Sequence, residues 1–485
     1  MKSSRLLAVS VCALCALSAC GGGASGGGNN GGGGSGSSRV ATHFSVTAPT
    51  TASVSTFFGI TVLALDASNR TVTGYSGTVH FTSSDPQAVL SGDSTLTNGA
   101  GTFSASLAGP GSETITATDT LTSTITGSSS AIDVETNSNI HGFHPTGDMG
   151  FERELHTATL LADGKVLITG GANNTGNTGI LETAEIFDPA NGTFTPTGAM
   201  TTSRFSHTAT LLAHGPAATN GKVLITGGGN DSGDLATAEL FDPATGTFTA
   251  TGAMKEMRSE HTAMLLANGK VLVAGGTDDN VAELFDPATG AFASTTGALI
   301  VGGRWGCTAT LLKDGTVLIA GGRDDENVFN AFTLNNAELF NPATGTFTAT
   351  GLMTEFRYGH TAALLNNGKV LLAGGINGNS LQDAELFDPT TGTFSVTGLM
   401  STARSNHTAT LLNDGTVLVA GGFSFVTGIT ATADVFDTAT DMFVPTGRMG
   451  TARSQHTATR LNDGRVLMTG GADPGGFIRT AELYK

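Results

Sequence analysis

Beyond residue 141, short apolar blocks alternate with turn residues in a unit that recurs seven times. One copy predicts four strands, over 207–212, 222–226, 237–241 and 247–251. The first two are joined in most copies by turns such as Asn268-Gly269 or Asp314-Gly315. The third ends in Asp242-Pro243-Ala244-Thr245-Gly246, where Asp and Pro set a tight turn and Gly supplies a permissive position. Alternation within the strands is weak and small residues are many, which predicts sheets covered on both faces. Gly-Gly pairs begin at 170, 227, 275, 321, 374, 421 and 470, and an Arg recurs at 153, 204, 258, 304, 357, 404 and 453. The Arg spacings are 51, 54, 46, 53, 47 and 49 residues, a mean of 50. A repeat of this length means an array of equal structural units.

Residues 40–136 follow another rule. Thr, Ser and Val dominate, with strand-length segments at 60–65, 78–82, 101–107 and 112–117 separated by turns such as Asp66-Ala67-Ser68-Asn69 and Asn98-Gly99. This predicts an antiparallel sandwich of short strands. Ahead of it, Lys2 and Arg5 precede an apolar run, Leu6 to Leu17, too short to span a bilayer, which predicts an export signal over 1–19. Residues 20–39 are almost entirely Gly, Ser and Asn and predict a flexible tether.

Composition narrows the classes. Gly makes up 69 of 485 residues, charged residues only 13%, and the formal charge is −17. Such an acidic balance argues against nucleic acid as a partner. Of the four Cys, Cys12, Cys15 and Cys20 fall at the N-terminus, leaving Cys307 alone, so no intramolecular disulfide is expected.

Three resemblances follow from these residues. Leu17-Ser18-Ala19-Cys20-Gly21 resembles the lipobox of bacterial lipoproteins. That implies lipidation of Cys20, a membrane anchor and, since Gly21 is not Asp, the outer membrane or cell surface. The series Ala64-Leu65-Asp66, Gly74-Tyr75-Ser76-Gly77-Thr78-Val79 and Gly101-Thr102-Phe103 resembles bacterial immunoglobulin-like surface domains. The Gly-Gly pairs, the Ala-Glu-Leu-Phe-Asp-Pro runs and the period resemble kelch repeats. Together they imply an all-β chain: an immunoglobulin-like β-sandwich, then a kelch-type seven-bladed β-propeller over 141–485. Phe187, Phe241, Phe194 and Phe248 stand where kelch blades commonly carry Tyr and Trp. The last copy stops after its third strand, and Phe143-His144-Pro145-Thr146-Gly147 matches Phe194-Thr195-Pro196-Thr197-Gly198. Residues 141–148 are therefore expected to complete the seventh blade and leave no free edge.

Candidate chemistry falls on the links between blades, whose length and sequence vary. Arg153, Arg204, Arg258, Arg304, Arg357, Arg404 and Arg453 precede the innermost strands. They form either a cationic ring for carboxylates or sulfates, or structural pairs with Glu185, Glu239, Glu283, Glu338, Glu385, Asp434 and Glu482. His156, His207, His261, His360, His407 and His456 follow three residues later, with Cys307 in the fourth copy. Recurrence in nearly every blade marks a packing or inter-blade hydrogen-bond role rather than a metal ring. Trp305, the only Trp, either stacks on a sugar at the mouth or repacks around Cys307. The runs Asp278-Asp279-Asn280 and Asp324-Asp325-Glu326-Asn327 lack the ligand spacing of a calcium loop.

Kelch-type propellers include the galactose-oxidase family, whose copper site implies two Tyr, one crosslinked to Cys, and two His; only Tyr75, Tyr358 and Tyr484 occur here. Kelch-class sialic-acid mutarotases use Arg and acidic residues, but here every copy has them equally. The sequence therefore predicts a binding or scaffold module for a protein or glycan, with no cofactor and no enzymatic activity. A carbohydrate-active enzyme, oxidase or mutarotase-like, is the alternative.

Overall fold

The computed structural model describes residues 39–485 apart from 54–56, 110, 136–141, 174–178, 214–215, 217–218 and 325–331. The export signal, Cys20 and most of the tether lie outside the described residues. Every regular element among the described residues is a strand, and the chain divides into two compact units between Ile140 and His141.

In the first unit, Phe57–Leu65 pairs antiparallel with both His43–Thr47 and Ala100–Ser106, with Val46 opposite Val62 and Phe44 opposite Ala64. A second sheet is built on Thr78–Ser83 and Ile115–Asp119. Alternate residues point inward from both sheets, so Phe44, Ile60, Val62, Val79, Phe81, Ile115 and Ala117 share one core.

The second unit contains seven four-stranded antiparallel sheets. In the first, Thr157–Leu160, Val166–Thr169, Ala184–Asp188 and Thr193–Pro196 pair in that order. The innermost strands of the seven, here called blades 1 to 7, are Thr157–Leu160, Thr208–Leu211, Thr262–Leu265, Thr308–Leu311, Thr361–Leu364, Thr408–Leu411 and Thr457–Arg460. Each touches the next, and the first touches the last, so the sheets close into a ring. That closed ring of sheets is a β-propeller. Its last sheet is completed by the unit's first strand: Phe143–Pro145 runs antiparallel to Ala481–Tyr484, with Phe143 opposite Tyr484.

Burial explains the weak alternation. The second strand of every blade is covered on both sides, as in Val166-Leu167-Ile168-Thr169, while the fourth strand faces outward. Between the third and fourth strands a phenylalanine pair packs at 4.8 Å in blade 1, Phe187 on Phe194. In blade 7 the corresponding pair is Phe143 on Tyr484, at 5.0 Å.

The Gly-Gly pair sits where two blades meet. Gly170 and Gly171 have φ of 61° and 98°, the left-handed region. A Cβ on Gly170 would lie 2.5 Å from the Arg204 carbonyl oxygen of the next blade, and one on Gly171 would lie 2.6 Å from the Glu154 carbonyl oxygen. The Gly171 N–H donates to the Arg204 carbonyl at 2.9 Å, so the pair fastens one blade to the next.

Candidate functional site

The repeated Arg is among the largest fully buried side chains of each blade, with no exposure in any of the seven. In blade 2, Arg204 donates through Nη1 to the carbonyls of Gly227 (2.6 Å) and Thr237 (3.2 Å), and through Nη2 to Glu239 Oε1 at 2.8 Å. The second Glu239 oxygen accepts the Thr201 N–H at 2.7 Å. Each pair therefore ties the link entering a blade to the link between its second and third strands. The same pairing joins Arg153 to Glu185, Arg258 to Glu283, Arg304 to Glu338, Arg357 to Glu385, Arg404 to Asp434 and Arg453 to Glu482.

This corrects one of the two sequence expectations. Arg153, Arg204, Arg258, Arg304, Arg357, Arg404 and Arg453 do not form a ligand-facing cationic ring, because each guanidinium is buried and gives its Nη groups to a carboxylate and a carbonyl inside its own blade, while the Nε atoms of Arg153, Arg204, Arg258, Arg357 and Arg453 are buried without a partner. Trp305 is corrected with them: it is 4% exposed, and its backbone pairs with Arg323, leaving no ring face for a sugar at the mouth.

The six His form a second circle, each linking two blades. His207 Nε2 lies 3.1 Å from Thr157 Oγ1 and 3.2 Å from Thr169 Oγ1 of blade 1. His156 closes the circle onto Thr457 and Thr469 of blade 7, at 3.2 and 3.1 Å. In blade 4, Cys307 replaces His, and Thr262 turns its hydroxyl to the Ala274 carbonyl instead. Burial, reinforced by the neighbouring Arg charges, pushes all six imidazoles down, His261 and His360 to about 3, so the circle is neutral. Their Nδ1 atoms are buried and have no hydrogen-bond partner.

Between each Arg and its His lies a residue the sequence reading passed over. Leu155, Ser206, Glu260, Gly306, Gly359, Asn406 and Gln455 all have φ between 50° and 62°. Their backbones form a closed ring around the axis. Ser206 N donates to Leu155 O (3.0 Å), Glu260 to Ser206 (3.1 Å), Gly306 to Glu260 (3.1 Å) and Gly359 to Gly306 (3.3 Å). Asn406 then donates to Gly359 (2.9 Å), Gln455 to Asn406 (2.9 Å) and Leu155 to Gln455 (3.4 Å). The flanking Arg and His barely vary, yet no two neighbouring side chains here are alike except the two glycines. The signal in the sequence was this variation one residue before each His.

The ring divides into two sectors. Over blades 3 to 5, Glu260 reaches Arg323 at 3.4 Å, and the Arg323 guanidinium lies 5.3 Å from the Tyr358 ring centre. Over blades 6, 7, 1 and 2 a cavity of about 250 Å³ opens, lined by Leu155, His156, Ser206, His207, Asn406, His407, Gln455 and His456. Beside it, Glu154 is half-buried, and burial pushes its carboxyl up to about 7. Asp278 and Asp279 are exposed, while most of the second acidic run, 325–327, lies outside the described residues.

Among the described residues no three of His, Cys, Asp and Glu converge where one metal ion would fit. The Cys307 thiol is buried and pushed up to about 11, chiefly by burial, and Tyr484 is buried against Thr446. These residues do not assemble a copper centre of two Tyr and two His.

Two segments of the chain, 211–255 and 357–398, match the Kelch motif. No curated protein matches. Among the solved structures that share the fold is a fungal alcohol oxidase of the AA5 family in complex with copper. It is 18% identical, with a TM-score of 0.59 over 72% of this chain and 76% of that one. The second unit is thus a kelch-type β-propeller. The same likeness corrects the expectation of a chain without enzymatic activity: an enzyme stands on this frame, and the frame accommodates catalysis.

Proposed function

We propose that the chain is a cell-envelope lipoprotein, anchored through Cys20, whose immunoglobulin-like domain and tether present a seven-bladed kelch propeller as a protein- or glycan-binding module. The observation that carries this reading is the axial ring. Arg, His and Gly-Gly repeat because they build blades, whereas the ring side chains, the two glycines apart, differ from blade to blade, and four of them line a cavity. Variation confined to one rim of a rigid frame is what recognition needs.

The test is binding of the full chain to an array of glycans and to proteins of the cell envelope. Saturable binding to either supports the reading, and binding to neither refutes it. A second reading, a carbohydrate-active enzyme, is favoured by the likeness to the copper alcohol oxidase. Peroxide release from sugars or alcohols with copper added, or turnover of a sugar anomer, would establish it in place of the first.

A further inference from the structure

In an Asn-Gly pair the glycine nitrogen can attack the asparagine side chain, because glycine has no Cβ to crowd the approach. The pair occurs at Asn30, Asn98, Asn191, Asn220, Asn268, Asn367 and Asn377, and all but Asn30 lie among the described residues. The attacking nitrogen must first lose its proton. A carbonyl that already accepts that N–H keeps the proton in place and fixes the nitrogen.

Five of the six described glycines are held in this way. Gly99 donates to Tyr75 O (2.8 Å), Gly192 to Asp188 O (2.8 Å), Gly221 to Leu212 O (2.8 Å), Gly269 to Leu266 O (2.9 Å) and Gly368 to Leu365 O (2.9 Å). Gly378 is the exception: among the described residues its N–H has no hydrogen-bond acceptor. It stands alone at a hairpin tip between Ile376–Asn377 and Asn379–Ser380, with φ of 70° and open space where a Cβ would lie. Exposure does not separate the pairs, since Asn191, Asn268 and Asn367 are exposed as Asn377 is. Asn268 and Asn367 are tied further, each Oδ1 accepting the N–H two residues on at 3.0 Å. The Asn377 side chain has one tie, an Nδ2 donation to Glu355 Oε2 at 3.3 Å, long and at the surface, which restrains the amide little.

We infer that Asn377 is a site of spontaneous covalent modification, the Asn-Gly pair that the fold leaves free to convert to aspartate and isoaspartate. Base takes the Gly378 amide proton, the nitrogen bonds to Asn377 Cγ, and the Cγ–Nδ2 bond breaks to release ammonia. Water then opens the cyclic imide at either carbonyl, so the net exchange is one water in and one ammonia out, with no oxidant. The product carries a carboxylate beside Glu355, where the amide had donated. The isoaspartyl form also routes the backbone through Cβ, lengthening one arm of a hairpin that pairs Ile376 with Ser380. Ser380 Oγ accepts the Phe425 N–H of the next blade at 3.2 Å, so a slow, one-way change of charge and shape falls where the variable loops of blades 5 and 6 meet.

The experiment incubates the full chain, folded and separately denatured in urea, in mildly alkaline buffer made with ¹⁸O-water, and follows each Asn-Gly peptide by mass spectrometry. In the folded chain Asn377 should take up label about tenfold or more faster than Asn98, Asn191, Asn220, Asn268 or Asn367, whose glycines must first break a backbone hydrogen bond. In urea all six should convert at comparable rates. Asn377→Gln keeps an amide at the hairpin but, one carbon longer, closes the imide ring far more slowly. This variant should melt like the parent and leave that peptide unlabelled.

Conversion at Asn377 no faster than at the other five in the folded chain would overturn the inference. So would an unlabelled Asn377 in the folded chain while the denatured chain converts at all six, or undiminished label in the Asn377→Gln peptide.

Discussion

Removing the charge of Arg204 tests whether the repeated ion pair is structural. In Arg204→Met the thioether follows the aliphatic stem, but Glu239, 1% exposed, keeps its charge with only the Thr201 N–H to stabilise it. The Gly227 carbonyl loses its 2.6 Å donor as well. Breaking a buried pair from one side costs about 3–5 kcal/mol, most of it the stranded charge. Glu239→Gln strands the guanidinium instead and should cost a similar amount. The double variant buries no charge, keeps an acceptor for the Thr201 N–H and leaves one bare carbonyl, a loss of about 1–3 kcal/mol. It should therefore be more stable than either single variant. Urea unfolding read by fluorescence is the assay, because Trp305, the sole Trp, is buried in the propeller and reports that unit alone. A loss below about 1 kcal/mol for Arg204→Met, or additive losses in the double variant, would refute a structural pair.

Other outcomes follow from the same structure. The six His titrate lower in the folded propeller than near the ordinary 6.5, so the unfolded chain binds protons that the fold refuses. Their contribution is intact above pH 6.5 and is lost as pH falls toward about 3, at ~1.4 kcal/mol per His per pH unit. The urea midpoint should drop steeply between pH 6.5 and 5 and less steeply in His207→Gln; a flat profile would contradict the neutral circle. Glu154 has the opposite sign. Its folded pKa is raised from 4.5 to about 7, so the stability it gives at low pH is lost as pH rises through 7. Glu154→Gln should then raise the melting temperature more at pH 8 than at pH 5, and equal effects would place the carboxyl in water. Deleting residues 142–148 removes the Phe143–Tyr484 contact and the paired Gly142–Lys485 backbone bonds, and bares the edge of Ala481–Tyr484. The propeller should unfold at lower temperature as one transition, and unchanged melting would show that this strand does not hold the ring.

What the sequence alone determined is whatever every blade must repeat. Four strands, a Gly-Gly pair, an Arg and a carboxylate recur because closing a ring of like sheets imposes one geometry at each junction, and such a constraint prints itself as a period. The kelch-type propeller was legible for that reason. The partner of each Arg was legible as one of two choices, since equal numbers of Arg and acid at fixed places admit a pair as readily as a ring. Only burial decided between them, because a guanidinium at a channel mouth and one sealed inside a blade carry the same letter. Trp305 was likewise legible only as one of two choices: its rarity marked it, but exposure is a tertiary property, and the structure buries it, with its backbone paired to Arg323. The axial ring was the least legible feature. Its seven members share a backbone conformation, φ near 55°, which Leu, Ser, Glu, Gly, Asn and Gln all adopt here without a common side chain. They come together only because seven blades, about 50 residues apart in sequence, turn the same residue toward one axis. Convergence of that kind is made by the closed ring and by nothing local.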